Sequence, residues 1–229
     1  DWGHFAVLGE HFTAAGFALI RFNFSHNGTT PDQPTDFADL EAFGYNRVRY
    51  EQEDLGHIID FALNSDALND LPLDRSGVHL IGHSRGGGNV ILKAANDECV
   101  QKVVTWSAIS TFVRYTDADV NIWREKGVKY IPNSRTGQQM PLYFAAYQEY
   151  LENPDQYSIA KALGQIEAKN YLQIHGGQDT TVGSEEYNAI RSAKPDAAHL
   201  LIESAGHTFG SKHPRPSDEL PVHLKEALT

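Results

Sequence analysis

Apolar and polar positions along this chain follow two periods in turn. Phe5, Leu8, Phe12 and Ala15 recur at helical spacing and Gly16 stops the run, so the spacing predicts an amphipathic helix. Residues 17–24 then alternate through Ala18, Leu19, Ile20 and Phe22 as a strand does, and Ser25-His26-Asn27-Gly28 supplies turn chemistry behind it. Residues 29–44, with Pro31, Pro34 and several aspartates, read as a surface loop. Glu51, Glu53 and Asp54 crowd a helix N-terminus, where the macrodipole favours negative charge. Leu55, Ile58, Ile59 and Ala62 form the buried stripe behind them, to about Asn64. A polar linker through Pro72 and Asp74 follows.

The pattern sharpens at Val78-His79-Leu80-Ile81-Gly82-His83-Ser84-Arg85-Gly86-Gly87-Gly88. Val78, Leu80 and Ile81 read as a short buried strand, and Val90, Ile91, Ala94 and Ala95 recur at helical spacing to about Asn96. A strand therefore runs into a helix through a tight turn with Ser84 at its apex. Further strands are predicted at Val103-Val104-Thr105-Trp106, Tyr171-Leu172-Gln173-Ile174 and His199-Leu200-Leu201-Ile202. Helices are predicted around Ser184 to Ala193 and from about Ser217 to the end. Such alternation predicts the α/β class, a mostly parallel sheet covered by helices on both faces, with ligands at the carboxyl ends of the strands.

Between Trp106 and Tyr171 the rhythm breaks for longer than an ordinary loop allows, so residues 110–160 are expected to form a mainly helical cap inserted into one domain spanning 1–229. Phe112, Tyr115, Trp123, Tyr130, Tyr143, Phe144, Tyr147, Tyr150 and Tyr157 crowd this segment, with Tyr143, Tyr147 and Tyr150 along one helical face. Packing accounts for most of that stripe, and Trp123, Tyr143 and Tyr147 are the candidates to line a substrate pocket. Arg114, Arg124, Lys126, Lys129 and Arg135 make the segment locally basic, which reads as a solvated face before it reads as attraction for an acidic substrate.

Composition narrows the function. The 229 residues fit one domain, and 41% hydrophobic residues fill a core. A formal charge of −11 disfavours nucleic acid or an anionic membrane as partner and favours a small molecule. No apolar run approaches the length of a membrane span. The single cysteine, Cys99, excludes an internal disulfide framework and suits a reducing cytoplasm.

Gly82-His83-Ser84-Arg85-Gly86 fits the G-x-S-x-G pattern of a nucleophile elbow, in the strand-turn-helix context that the pattern requires. The glycines two before and two after Ser84 are expected where side chains would clash. The first N–H groups of the following helix, that of Arg85 among them, face the space where an oxyanion develops. Phosphate-loop spacings cannot be laid on residues 82–88.

A serine hydroxyl is a poor nucleophile without a base and a group that orients the base. The strand ending at Ile174 leads into His175-Gly176-Gly177-Gln178-Asp179, and the strand ending at Ile202 leads into a glycine-bearing loop with His207. Ser84, Asp179 and His207 thus stand in the chain order that an elbow triad uses. Asp179 also suits an ordinary turn. Of the 11 histidines, His57, His199 and His223 fall inside predicted elements, and His213 is the fallback base. His79 and His83 share one side of a strand, but no metal-binding helix or cysteine cluster accompanies them, so neither a metal nor a cofactor is expected.

Arg21-Phe22-Asn23-Phe24-Ser25-His26-Asn27-Gly28, the elbow, His175 to Asp179 and Ala205-Gly206-His207 together resemble conserved blocks of the α/β-hydrolase superfamily. The likeness is to its serine esterase branch, to small bacterial hydrolases of the dienelactone-hydrolase-like or serine-aminopeptidase-like kind, and it spans nearly the whole chain. It implies an α/β-hydrolase fold cut short at both ends, since members carry a His-Gly loop just before the segment matching Asp1-Trp2-Gly3 that supplies the second oxyanion N–H. The function expected is hydrolysis of carboxylic esters of small, partly apolar or aromatic acyl groups through an acyl-enzyme on Ser84. Amide, peptide or thioester cleavage by the same triad is the alternative, and a binding protein without turnover is the third.

Overall fold

A computed structural model describes residues 3–34, 36–133 and 135–229. Helix α1 (Phe5–Ala14) forms where the apolar spacing places it. Residues 17–24, expected as a strand, enter no ladder: alternation gives a segment two faces, but a strand also needs a neighbour, and Asn23 instead donates Nδ2 to Thr29 Oγ1 and the Pro34 carbonyl. Phe17 and Ile20 stay exposed. The expected loop 29–44 ends in a short helix, α2 (Leu40–Gly44), because the Asp39 carboxylate caps it by accepting the Ala42 N–H at 2.9 Å. Helix α3 (Val48–Asn64) buries Leu55 and Ile59 as its pattern requires. Its Glu51 is buried too, accepting from Asn46 Nδ2 at 2.8 Å.

The main sheet consists of β1 (Val78–His83), β2 (Val100–Trp106), β5 (Tyr171–Gly176) and β6 (Ala198–Ile202), in that spatial order and all parallel. Helix α4 (Arg85–Asn96) joins β1 to β2, and α8 (Ser184–Ala193) joins β5 to β6. Helix α7 (Ile159–Gln165) precedes β5. On one sheet face Trp106, Ile174 and Ile202 pack with Leu8 of α1, Phe209, and Leu224 of the last helix, α9 (Val222–Glu226). The other face is partly polar: Thr105 Oγ1 and Tyr171 OH lie 2.9 Å apart, and Gln173 meets His199 Nδ1 at 2.7 Å. One strand direction brings all four carboxyl ends to one edge, and the residues that follow them, Ser84, Ser107, Gly177 and Glu203, share it.

The terminal helix is far shorter than the span from Ser217 predicts. Pro214, Pro216 and Pro221 lack the N–H that a helix interior uses, and Pro221 becomes the residue from which α9 starts.

Chain contacts form two compact units. The first comprises Asp1–Arg21, Gly56–Thr111 and Ser158–Thr229 and holds the sheet; the second comprises Phe22–Leu55 and Phe112–Tyr157. The segment expected as a mainly helical cap thus shares its unit with residues 22–55. It contains α5 (Asp117–Lys126) and α6 (Phe144–Glu152), and also an antiparallel hairpin of β3 (Val128–Pro132) and β4 (Gln139–Tyr143). Pro132 and Pro141 hid this hairpin, since proline inside a short run argues against a strand. Tyr143 ends β4 opposite Val128, so the buried face of α6 is Phe144, Tyr147 and Tyr150, without Tyr143.

Candidate active site

Ser84 sits at φ 56°, ψ −123°, a backbone conformation that costs a non-glycine residue about 1–3 kcal/mol and persists only where the surroundings impose it. They do so from both sides. Its N–H donates to the Trp106 carbonyl at 2.9 Å, continuing the sheet, and its own carbonyl accepts from Gly87 N at 3.0 Å and Ile109 N at 3.3 Å. A Cβ on Gly82 would lie 2.4 Å from the Gly86 carbonyl oxygen and 2.6 Å from Val90 Cγ2. The expected crowding at Gly86 is absent, because a Cβ there meets nothing within 4 Å. The second crowded site is shifted along the helix: a Cβ on Gly87 would lie 2.4 Å from that of Ala108, and one on Gly88 2.8 Å from Ile159 Cδ1. Arg85 opens α4 directly after Ser84, at the end of the helix where backbone N–H groups point outward.

The loops after β5 and β6 abut. Gly177 N donates to Ile202 O and Gln178 N to Ala205 O, both at 2.9 Å. This brings Asp179 and His207 together, with His207 Nδ1 donating to Asp179 Oδ2 at 2.7 Å. Asp179 Oδ1 accepts from the N–H groups of Thr181 and Val182, each at 2.8 Å. The Asp179 side chain is inaccessible to solvent and that of His207 is 19% exposed. Burial pushes the Asp179 carboxyl up, but the Val182 N–H, His207 and the Thr181 N–H outweigh it and hold the group below its usual range, so it is ionised. With Nδ1 committed as donor, His207 keeps Nε2 as a proton acceptor.

Two histidines without an assigned role complete the cluster. His83 donates Nε2–H to the His207 carbonyl at 2.8 Å, and the two rings lie 4.5 Å apart. Burial, with His207 as a second cause, lowers the His83 pKa to about 4, so the ring is neutral. His175 is fully buried, donates Nε2–H to the Val182 carbonyl at 2.9 Å and so closes the turn that holds Asp179. Its pKa is also lowered, by burial above all. The sequence signals for both were weak: a histidine beside the elbow serine, and one at the head of the loop that carries the acid.

His79 packs edge-on to Phe17 instead of pairing with His83. The fallback base His213 accepts the Gly3 N–H on Nδ1 at 3.1 Å. Trp123, Tyr143 and Tyr147 belong to the second unit. Trp123 and Tyr147 are buried there and stack on each other at 5.0 Å, while Trp123 Nε1 donates to the Leu142 carbonyl at 2.7 Å. Tyr143 packs on Tyr45 at 4.3 Å. No helix among the described residues is long and apolar enough to cross a membrane.

No protein-family model matches this chain. No curated protein sequence matches it either. Solved structures do resemble it. An inferred hydrolase of Agrobacterium vitis S4 superposes with TM-score 0.65 at 15% identity, covering 99% of this chain and 82% of its own. One of two metagenome-derived lipolytic enzymes gives 0.63 at 14% identity, covering 92% and 82%. The esterase domain of a Rhodothermus marinus protein gives 0.54 at 17% identity, covering 89% and 71%. At such identities the shared property is the fold.

Proposed function

The chain has the α/β-hydrolase fold, and from that premise we propose that it is a serine hydrolase acting on carboxylic esters. Ser84 Oγ attacks the acyl carbonyl while His207 Nε2 takes its proton, and Asp179 orients the imidazole and stabilises the imidazolium. The Arg85 N–H helps to hold the oxyanion. Collapse of the tetrahedral intermediate expels the alcohol, which takes the proton from His207, and leaves an acyl-enzyme on Ser84. Water, giving a proton to His207, then attacks the acyl carbon, and collapse of the second tetrahedral intermediate breaks the ester bond to Ser84, returns that proton from His207 to Ser84 Oγ and releases the acid. The observation that carries this reading is the 2.7 Å bond between His207 Nδ1 and the buried, ionised Asp179, in a loop bonded to the residue beside Ser84.

Esters of small, partly apolar or aromatic acyl groups are the proposed substrates. Amides and thioesters share the acyl half of the mechanism, so ester preference is a statement about leaving groups. A panel joining one acyl group to ester, thioester and anilide leaving groups tests it, and anilide turnover rivalling the ester overturns it. For the chemistry itself, the wild type is expected to hydrolyse short-chain aryl esters and to be labelled by a fluorophosphonate. Ser84→Ala is expected to lose about four to six orders of magnitude in rate and all labelling. Equal rates would end the proposal, and a wild type that takes no label would support a binding role instead.

A further inference from the structure

We propose that His83 is the positioning residue for His207: its Nε2–H, held on the His207 carbonyl at 2.8 Å, fixes the loop that carries the base against the turn that carries Ser84. This rests on the hydrolase reading and extends it to a side chain that touches neither substrate nor the transferred proton. A carbonyl can only accept, so the hydrogen of this bond sits on His83 Nε2. His83 ends β1 and is bonded covalently to Ser84, whose N–H is pinned to Trp106. Through this bond the backbone of the nucleophile and that of the base are joined by one imidazole. Other ties of the His207 loop run elsewhere, Ala205 to Gln178 after β5 and Ser211 Oγ to His4 beside α1, and neither refers the base to Ser84.

The charge state matters as much as the bond. His207 must become an imidazolium when it takes the serine proton, and a second cation with its ring 4.5 Å away would oppose that step. Lysine or arginine could reach the carbonyl only by bringing such a charge. A histidine that is kept neutral supplies a donor of the right length without it. Trp106, Phe209 and Leu224, which line a small cavity with His83, give that ring an apolar wall.

The test compares wild type, His83→Leu, which keeps bulk without a donor, and His83→Gln, which keeps an uncharged N–H. With a short-chain aryl ester, His83→Leu is expected to lose about 10- to 100-fold in kcat, the cost of a base misplaced by around an ångström. KM is expected to stay within about twofold, because ground-state binding is not its task. His83→Gln is expected to restore most of kcat, and fluorophosphonate labelling rates to follow the same order. Circular dichroism reports whether each variant is folded; if His83→Leu is not, His83→Gln decides alone, near-wild-type kcat supporting the proposal and a loss equal to the range above overturning it. An active wild type with an unimpaired His83→Leu overturns the positioning role and leaves the hydrolase reading standing. A wild type that neither turns over nor labels overturns both.

Discussion

Alanine at position 82 and alanine at position 86 add the same methyl group two residues to either side of Ser84, with opposite expected results. At Gly82 the methyl meets the Gly86 carbonyl at 2.4 Å, a backbone atom that cannot swing away, so Gly82→Ala is expected to destabilise by about 1–3 kcal/mol. At Gly86 it enters open space in the first turn of α4, where replacing glycine gains up to about 1 kcal/mol from backbone entropy. Urea midpoints of the two variants check this, and a Gly82→Ala as stable as Gly86→Ala refutes it. The motif alone treats both glycines alike; only the direction of α4 separates them. That Asp179 and His207 would meet could be read from the sequence, because each follows an apolar strand in the same sheet. The bond from His83 could not, since a contact between residues 124 positions apart leaves no trace in local spacing.

Helix α5 carries its own start and stop signals. Thr116 Oγ1 accepts from Asp119 N at 3.2 Å while Asp119 Oδ2 accepts back from Thr116, and Gly127 closes the other end at φ 72°. Thr116→Ala is expected to cost about 1 kcal/mol. Gly127→Ala is expected to cost about as much, because alanine resists that left-handed backbone. Faster amide hydrogen exchange confined to the first turn of α5 in one variant and to its last turn in the other checks both, and unchanged exchange rejects them. Signals of this kind explain which elements could be read beforehand. The four strands of the main sheet are largely apolar runs flanked by turns and are legible for that reason. The prolines of the β3–β4 hairpin conceal it, residues 17–24 have a strand's alternation but no neighbouring strand, and the spacing that suggests a helix from Ser217 does not register the break at Pro221.

For the molecule in its entirety, acid is the informative stress. His83 is held at a pKa of about 4 against an ordinary 6.5, and His175 is lowered as well, both by burial first. Between those two values the unfolded chain binds protons that the folded chain refuses, so stability is full above pH 6.5 and falls as the pH drops toward 4. His83 alone accounts for about 3 kcal/mol of that fall. The lowered Asp179 carboxyl adds a loss at the acid end, as pH falls below the ordinary carboxylate range and through its folded value. Urea midpoints at intervals from pH 7.5 to pH 4 would show the decline, and a flat profile between 7 and 5 would rule it out. The serine rides on an outer strand, while the acid and the imidazole leave the two strands on the opposite side of β2. No local fragment can gather all three, so on the proposed mechanism the hydroxyl is expected to react only once the central ladders have closed, and its covalent capture by a fluorophosphonate would then serve as a clock for the completion of folding.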